Sequence, residues 1–244
     1  MCLSNRVSLF VFHAAVALLP VAWAHAEPVA TVAGHWEGAI HAAANDFAVA
    51  VDLATDDAGK LGGTFSNAAQ RINGLPLWSA SVDGRLVKLE IKTTGPAIQT
   101  FDGRVSPDGQ SITGQFLIDV YAVPFELKRT GEARIAAPPR SAAVDAKLVG
   151  SWAGTLEIEG KSFPLELTLT NHADKTATGA WAAGGEPLSP ITITVDGTNV
   201  TLVSSVTPAT FTGTVDAQGT ALSGTLTEGG ASRPVVFTRA ASGG

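Results

Sequence analysis

Few side chains in this sequence have the type and spacing that catalysis requires. After the apolar N-terminal run, the histidines are His35, His41 and His172. His35 and His41 share one face of a predicted strand but are six residues apart, about 20 Å at the rise of a strand, so they cannot bind one metal ion. All three are expected on solvated surface, with His172 in a turn. No histidine stands beside a serine or threonine and no Gly-x-Ser-x-Gly motif occurs, so the sequence predicts no nucleophile.

The carboxylates with close neighbours are also expected to be structural. Asp56, Asp57 and Asp174 fall in predicted turns, where an aspartate usually accepts hydrogen bonds from its own backbone. A calcium site or a general-acid pair is the less favoured interpretation. The sequence therefore predicts a protein that is not an enzyme and that has no cofactor and no metal ion.

The N-terminal segment predicts export. Arg6 precedes an apolar run over residues 7–21, and residues 22–26 contain two overlapping Ala-x-Ala sites. This pattern is typical of a bacterial secretory signal peptide and is too short for a membrane anchor. We expect residues 1–26 to be cleaved after Ala26 and the protein to be periplasmic or secreted. Cleavage would remove Cys2, the sole cysteine, so no disulfide is expected.

The charge limits the classes of partner. The net charge is −6 for the whole chain and becomes −7 once Arg6 is removed. A mildly acidic surface argues against nucleic acid and against anionic lipid. The expected partner is a small molecule or another exported protein. No pattern in the sequence indicates an oligomeric state.

The strongest pattern is an internal repeat. Gly34-x-Trp36-x-Gly38 recurs 116 positions later as Gly150-x-Trp152-x-Gly154. Phe101-x-Gly103-x-Val105 recurs 110 positions later as Phe211-x-Gly213-x-Val215. A duplicated unit that repeats at a nearly constant spacing indicates two copies of one fold. The six-residue change in spacing is expected to lie in loops.

The repeat divides the chain into two units. The first is predicted at residues 31–130 and the second at residues 148–240. Residues 131–147 between them are rich in alanine and proline, a composition typical of a semi-extended tether that belongs to neither core.

Apolar residues recur with a period of two in both units, as in Phe163-x-Leu165-x-Leu167-x-Leu169, which indicates β-strands. Short Asx-Gly turn signals such as Asp83-Gly84 and Asp196-Gly197 favour hairpins. Eight strands are predicted in each unit, the fourth of the first unit near residues 76–82. Glycines of inward parity mark places where a strand coils sharply. The fold class predicted is all-β, with two tandem eight-stranded antiparallel up-and-down barrels; two β-sandwiches are the alternative.

Four side chains of the first unit could form a ligand site, namely Arg71, Trp78, Asp119 and Tyr121. The matching stretches of the second unit lack these aromatic and charged groups, and duplicated halves often differ where function differs. Aromatic rings beside a guanidinium suit a carboxylate-bearing aromatic molecule or a peptide terminus. The alternative is that Trp78 fills space beside smaller neighbours and that the four side chains never converge.

The opening Gly-x-Trp motif and the single arginine that ends the last strand (Trp36 with Arg129, Trp152 with Arg239) resemble the calycin pattern of lipocalins and avidins. This resemblance implies that the arginine packs across the tryptophan and closes the bottom of a barrel. The whole-unit pattern also resembles the small β-domain that precedes the catalytic domain in some exported bacterial serine hydrolases of the α/β type. This sequence contains two β-units and no such hydrolase domain.

Two functions remain open at this stage. The leading one is an exported, non-catalytic binding or interaction module for a small hydrophobic or anionic ligand, or for a partner protein in the manner of an inhibitor. The alternative is an accessory protein of a secreted serine hydrolase system.

Overall fold

The chain folds almost entirely as antiparallel β-strands, which confirms the all-β class. The computed structural model describes residues 31–93 and 97–240. The predicted signal peptide, residues 1–26, lies outside the described residues. Within them, one short 3-10 turn at Ala68–Gln70 is the only helical element.

The first unit is a curled sheet of nine strands in the order β4-β3-β2-β1-β9-β8-β7-β6-β5. Its strands are β1 (Gly34–His41), β2 (Asp46–Thr55), β3 (Leu61–Asn67), β4 (Ile72–Pro76), β5 (Ser79–Asp83), β6 (Leu86–Lys92), β7 (Ile98–Val105), β8 (Ser111–Ile118) and β9 (Tyr121–Gly131). Its outermost strands, β4 and β5, are not paired with each other.

The second unit closes into a barrel. Its strands are β10 (Ser141–Ala142), β11 (Gly150–Ile158), β12 (Lys161–Asn171), β13 (Thr176–Ala183), β14 (Ser189–Asp196), β15 (Asn199–Ser204), β16 (Ala209–Val215), β17 (Ala221–Glu228) and β18 (Ala231–Arg239). Strands β11 to β18 follow one another round the barrel, and the pairing of β13 with β14 closes it. This is the eight-stranded up-and-down barrel that the strand pattern predicts, and it is not a sandwich.

The two units differ by one inserted strand. The segment predicted as a single strand near residues 76–82 is two strands, β4 and β5, that lie on opposite edges of the first sheet. β4 turns back onto β3, pairing Leu75 with Phe65. It thereby occupies the edge of β3, whereas the corresponding edge of β13 in the second unit pairs with β14 and closes the barrel. The six extra residues of the first unit therefore lie within residues 68–78, the segment that contains the 3-10 turn and β4, and they do not simply lengthen a loop.

Inward glycines allow the strands to approach closely, as the sequence predicts. A Cβ atom on Gly38 would lie 1.9 Å from the carbonyl oxygen of Glu126 on the neighbouring strand. On Gly114 it would lie 2.1 Å from the carbonyl oxygen of Asp102. Both distances are far inside van der Waals contact, so only glycine permits the sharp coiling of the sheet at these points.

The segment between the units is not a free tether. β10 pairs with β13 through Ser141 and Ala142, and Val144 is buried in the core of the second unit. The side chain of Asn171 fixes Val144 on both sides, accepting from its N–H at 3.0 Å and donating to its carbonyl at 2.8 Å. The expectation that residues 131–147 belong to neither core is therefore wrong for residues 141–147. Their alanine-rich composition conceals a strand and a buried anchor.

We expect a fragment of residues 137–244 to be more stable than a fragment of residues 147–244. The shorter fragment loses β10 and the buried side chain of Val144 with its two hydrogen bonds. Burial of a valine and two net hydrogen bonds together contribute about 2–4 kcal/mol to the free energy of unfolding. Urea unfolding of both fragments, followed by far-ultraviolet circular dichroism, measures the difference. Equal midpoints would show that residues 137–146 add nothing to the second unit.

Candidate functional site

One end of each unit is closed by an arginine that lies over a tryptophan, the placement that the sequence analysis predicts. In the first unit the Arg129 guanidinium carbon is 4.6 Å from the Trp36 ring centroid. Arg129 donates hydrogen bonds to the carbonyl oxygens of Gly109, Ala33 and Thr31. These contacts tie the last strand to the chain entering the first strand. We call this the closed end of the unit.

The second unit repeats the arrangement. The Arg239 guanidinium carbon is 4.7 Å from the Trp152 ring centroid, and Arg239 donates to the carbonyl oxygens of Gly219, Val149 and Lys147. In each of the two arginines, all three side-chain nitrogens thus donate to backbone carbonyl oxygens. These four side chains have a structural role, and a ligand would have to bind elsewhere.

The opposite, open ends of the two units face each other. Val206, from the loop between β15 and β16, packs into the hydrophobic core of the first unit. Its carbonyl oxygen accepts a hydrogen bond of 2.8 Å from the backbone N–H of Asn73 in β4. Lys92 of the first unit donates to the carbonyl oxygen of Gly185 in the second at 3.3 Å. The inserted strand is therefore part of the contact between the units.

A cavity of about 490 Å³ lies between these open ends. Its floor is the mouth of the second barrel, lined mainly by apolar side chains: Leu156, Ile158, Leu165, Trp181, Leu226 and Phe237. The first unit covers it with Gln70, Ile72 and Leu75 from the insertion, together with Thr93. A volume of this size is within the range of about 300–1,000 Å³ that is typical of small-molecule sites.

Small residues on β13 create the space. Leu165, Leu167 and Leu169 of β12 face inward and pair with Ala183, Trp181 and Gly179 of β13. Ala177 of β13 is also buried in this core, so three of the four inward positions on β13 are alanine or glycine, and the barrel cannot fill its own mouth. Trp181 is half-buried at this position. The period-two alternation of β13 in the sequence could have indicated an inward tryptophan beside small residues. The sequence analysis instead predicted a ligand site at aromatic residues of the first unit, which lie at the surface.

Charged groups are confined to the rim of the cavity. They are Glu166, Glu186, Glu228 and Arg233. Glu166 is exposed, and the other three are half-buried. Glu186 has an interaction of its own. The lining thus combines an apolar floor with a polar margin, the usual arrangement of a ligand pocket.

None of the four side chains predicted as a ligand site lines this cavity. Arg71 is exposed and ends the 3-10 turn with a left-handed φ of 55°. Trp78 is 44% exposed, and the ammonium group of Lys92 lies 4.5 Å from its ring centroid. Because Lys92 also bonds to Gly185, Trp78 supports the contact between the two units.

Asp119 and Tyr121 lie at the tip of the β8–β9 hairpin. Asp119 has a φ of 51° in the turn, and Tyr121 is 73% exposed. This hairpin shares the open end of the first unit with Trp78, but strands β6 and β7 lie between β8 and β5. The structure therefore places the four side chains at one end of the unit without gathering them in a pocket.

His35 is not on solvated surface, which corrects the prediction for this residue. It is 6% exposed, and its Nδ1 atom lies 2.7 Å from Asp52 Oδ1. The same carboxylate oxygen accepts a 2.7 Å hydrogen bond from the backbone N–H of Arg134. His35 does point outward from the barrel, but the chain that follows β9 crosses this face and covers it. His41 does lie at the surface, with Asp46 at 3.0 Å.

The carboxylates whose pKa is shifted belong to surface turns and pairs. The hydroxyl of Thr176 holds the pKa of Asp174 below its usual range, and that of Thr220 does the same for Asp216. Hydrogen bonding from Lys88 and then from Ser79 lowers the pKa of Glu90. None of these groups lines the cavity. Over the described ranges, no cluster of three or more histidine, cysteine or acidic side chains is arranged to hold a metal ion.

Comparison with known proteins adds little to this picture. No protein-family model matches the chain, and no curated protein matches it. A solved protein of unknown function from the DUF3598 family of Nostoc punctiforme is similar over 85% of this chain and 96% of its own, with 13% identity and a TM-score of 0.26. A "putative outer membrane protein" of Bacteroides fragilis is similar over 85% and 97%, with 12% identity and a TM-score of 0.28.

The function of this chain must therefore be argued from its own residues. The closed barrel of the second unit is consistent with the calycin-like fold that its Trp–Arg pattern resembles. In the part of the chain that the structure describes, no helix is long and apolar enough to cross a membrane.

Proposed function

We propose that this protein is an exported, non-catalytic binding protein that holds a small apolar ligand between its two units. The observation that supports the proposal is the cavity of about 490 Å³ at the mouth of the second barrel. Its floor consists of aliphatic and aromatic side chains that the barrel cannot cover by itself. Burial of a ligand against this floor would be driven by the hydrophobic effect, at about 25 cal/mol for each Å² of apolar surface removed from water.

The chemistry of the lining favours binding over reaction. Covalent catalysis needs a nucleophile with a base beside it, and the lining residues that the structure describes include no histidine, cysteine or lysine. Export is supported by the sequence of residues 1–26, which has the charged, apolar and Ala-x-Ala regions of a signal peptide. A small-molecule carrier or sensor of the bacterial periplasm is the function that these features support best.

Docking of a partner protein is a second candidate function. The β8–β9 hairpin exposes Val120 at 89% and Tyr121 at 73% of their surface, and Ile118 beside them is also exposed. Adjacent exposed apolar side chains often mark protein contacts. An accessory role beside a secreted hydrolase would use such a surface.

Ligand binding can be tested with N-phenyl-1-naphthylamine, a neutral apolar dye whose fluorescence rises in apolar surroundings. We expect the intact protein to bind it and Ala183→Phe to weaken binding by at least about tenfold, because overfilling a packed site typically costs 1–3 kcal/mol. Ala183 faces into the cavity mouth. Ala180→Phe is the matched control, since Ala180 lies on the other face of the same strand.

The outcomes separate the two candidate sites. Equal affinity of the Ala183→Phe and Ala180→Phe variants would exclude the cavity as the binding site. Loss of dye binding in Tyr121→Ala, with Ala183→Phe unaffected, would place the ligand at the β8–β9 hairpin instead. No binding by the unmodified protein would overturn the proposal that the cavity takes apolar ligands.

A further inference from the structure

The rim of the cavity contains an inward-facing arginine. Arg233, Val235 and Phe237 alternate on β18, and the latter two are buried in the barrel core. Arg233 therefore points to the same side, and it pairs across the strands with the buried Leu226. A half-buried guanidinium is thus held directly above the apolar floor.

The first unit has no charge at this place. At the repeat spacing of 110 positions, Arg233 corresponds to Val123. Glu228 of the second unit corresponds in the same way to Ile118. The two charges are therefore a feature of the second unit alone, and the barrel framework does not require them.

Arg233 also differs from the framework arginines in its contacts. Arg129 and Arg239 each donate to three backbone carbonyls. The side chain of Arg233 makes no hydrogen bond or ion pair with another described residue. A guanidinium has five N–H donors in a planar fork that matches a carboxylate. Arg233 lines the rim of the cavity, so its side-chain donors are within reach of a ligand bound there.

We propose that the ligand is an anionic amphiphile, in which an apolar chain or ring system fills the barrel mouth and a terminal carboxylate bonds to Arg233. This proposal rests on the proposed function, because it assigns the ligand class of the same cavity. The apolar part would contact Trp181 and Phe237 on the floor, and the carboxylate would stay at the rim, where its desolvation cost is smaller.

The acidic side chains of the rim should oppose the binding of an anion at Arg233. Glu228 and Arg233 are on adjacent strands and are offset by two residue pairs, since Glu228 pairs with Ala231 and Arg233 pairs with Leu226. They form no salt bridge with each other, but a carboxylate beside the anchor weakens the attraction for an anion. Glu186 has another interaction and Glu166 is exposed. Neutralising Glu228 should therefore strengthen anion binding, and neutralising Arg233 should weaken it.

The test compares decanoate with 1-decanol as competitors of N-phenyl-1-naphthylamine on the intact two-unit protein. We expect decanoate to bind at least about tenfold more tightly than decanol, and Arg233→Gln to remove this preference, because a charge-assisted bond typically changes affinity by roughly ten- to a hundredfold. Glu228→Gln should raise the affinity for decanoate and leave that for decanol unchanged. Arg104→Gln, on the exposed face of β7, is the matched control for lost positive charge.

The outcomes distinguish this proposal from the function on which it rests. If neither competitor displaces the dye and the dye itself does not bind, the cavity function is wrong. If both competitors bind equally, or if Arg233→Gln and Arg104→Gln behave alike, the cavity binds apolar molecules without an anionic anchor. A preference for decanoate that is lost only in Arg233→Gln and that weakens with salt, as ionic contacts near a surface do, supports the assignment.

Discussion

Replacement of Trp152 by alanine is expected to lower the free energy of unfolding of the second unit by about 3–5 kcal/mol. Trp152 is 1% exposed, and its indole N–H donates to the Leu148 carbonyl oxygen at 3.0 Å. The substitution removes the largest side chain at the closed end and leaves a cavity there. It also deprives Arg239 of the ring against which its guanidinium packs, a contact worth on the order of 1 kcal/mol.

The control for this experiment is Trp78→Ala. Trp78 is 44% exposed and has one lysine above its ring, so its loss should cost less than about 1 kcal/mol. Urea unfolding monitored by far-ultraviolet circular dichroism compares the two variants. If Trp152→Ala were no more damaging than Trp78→Ala, the Trp–Arg contact would not be what holds the closed end of the barrel.

The features that sequence predicts well are those fixed by local periodicity. Alternation along Phe163–Leu169 gives the buried face of β12, because successive side chains of a strand point to opposite sides. The resemblance of the Gly-x-Trp motif and the closing arginine to the calycin pattern implies the contact of Trp152 with Arg239, and the two residues are paired on neighbouring strands. Inward glycines such as Gly38 indicate close approach of strands. Each of these signals can be read from a short stretch of sequence and from its repeat in the other unit.

The features that the sequence does not predict depend on contacts between segments that are distant in the chain, or on strands too short to show a pattern. His35 has outward parity, but residues that follow β9 cross over it and bury it. β4 is only five residues long and contains a glycine and a proline, so its pattern resembles a loop. The cavity needs both units, since its floor comes from one and its cover from the other. No local pattern shows that two open ends will meet.

One apolar side chain, that of Val206, is central to the contact that brings the open ends together. Val206 belongs by sequence to the second unit, yet it is 3% exposed within the core of the first. Its backbone N–H is held by the hydroxyl of Ser204 at 3.1 Å, and its carbonyl accepts from Asn73 at 2.8 Å. The loop is thus fixed at its base and inserts an apolar side chain into the neighbouring unit. The same insertion holds the cover of the cavity in place.

Val206→Asp is therefore expected to destabilise the protein by about 3–5 kcal/mol, because it places an uncompensated carboxylate in an apolar core. The first unit must either unfold around the charge or expel the loop, and in both cases the open ends separate. Val203→Asp is the matched control, since Val203 lies near the end of β15, three residues before Val206, and is 39% exposed. Amide hydrogen exchange should show lost protection in β3 and β4 for Val206→Asp alone, with β11 and β18 protected in both variants.

The same variant links the fold to the proposed function. Separation of the open ends removes Ile72 and Leu75 from above the second barrel and exposes its apolar floor to water. Dye binding should then weaken in Val206→Asp by at least about tenfold, in proportion to the apolar contact that is lost, although Val206 does not line the cavity. If the second barrel bound the dye equally well without its cover, the binding site would be complete within one unit. Retained binding together with unchanged exchange in β3 would mean that the two units do not depend on Val206 for their contact.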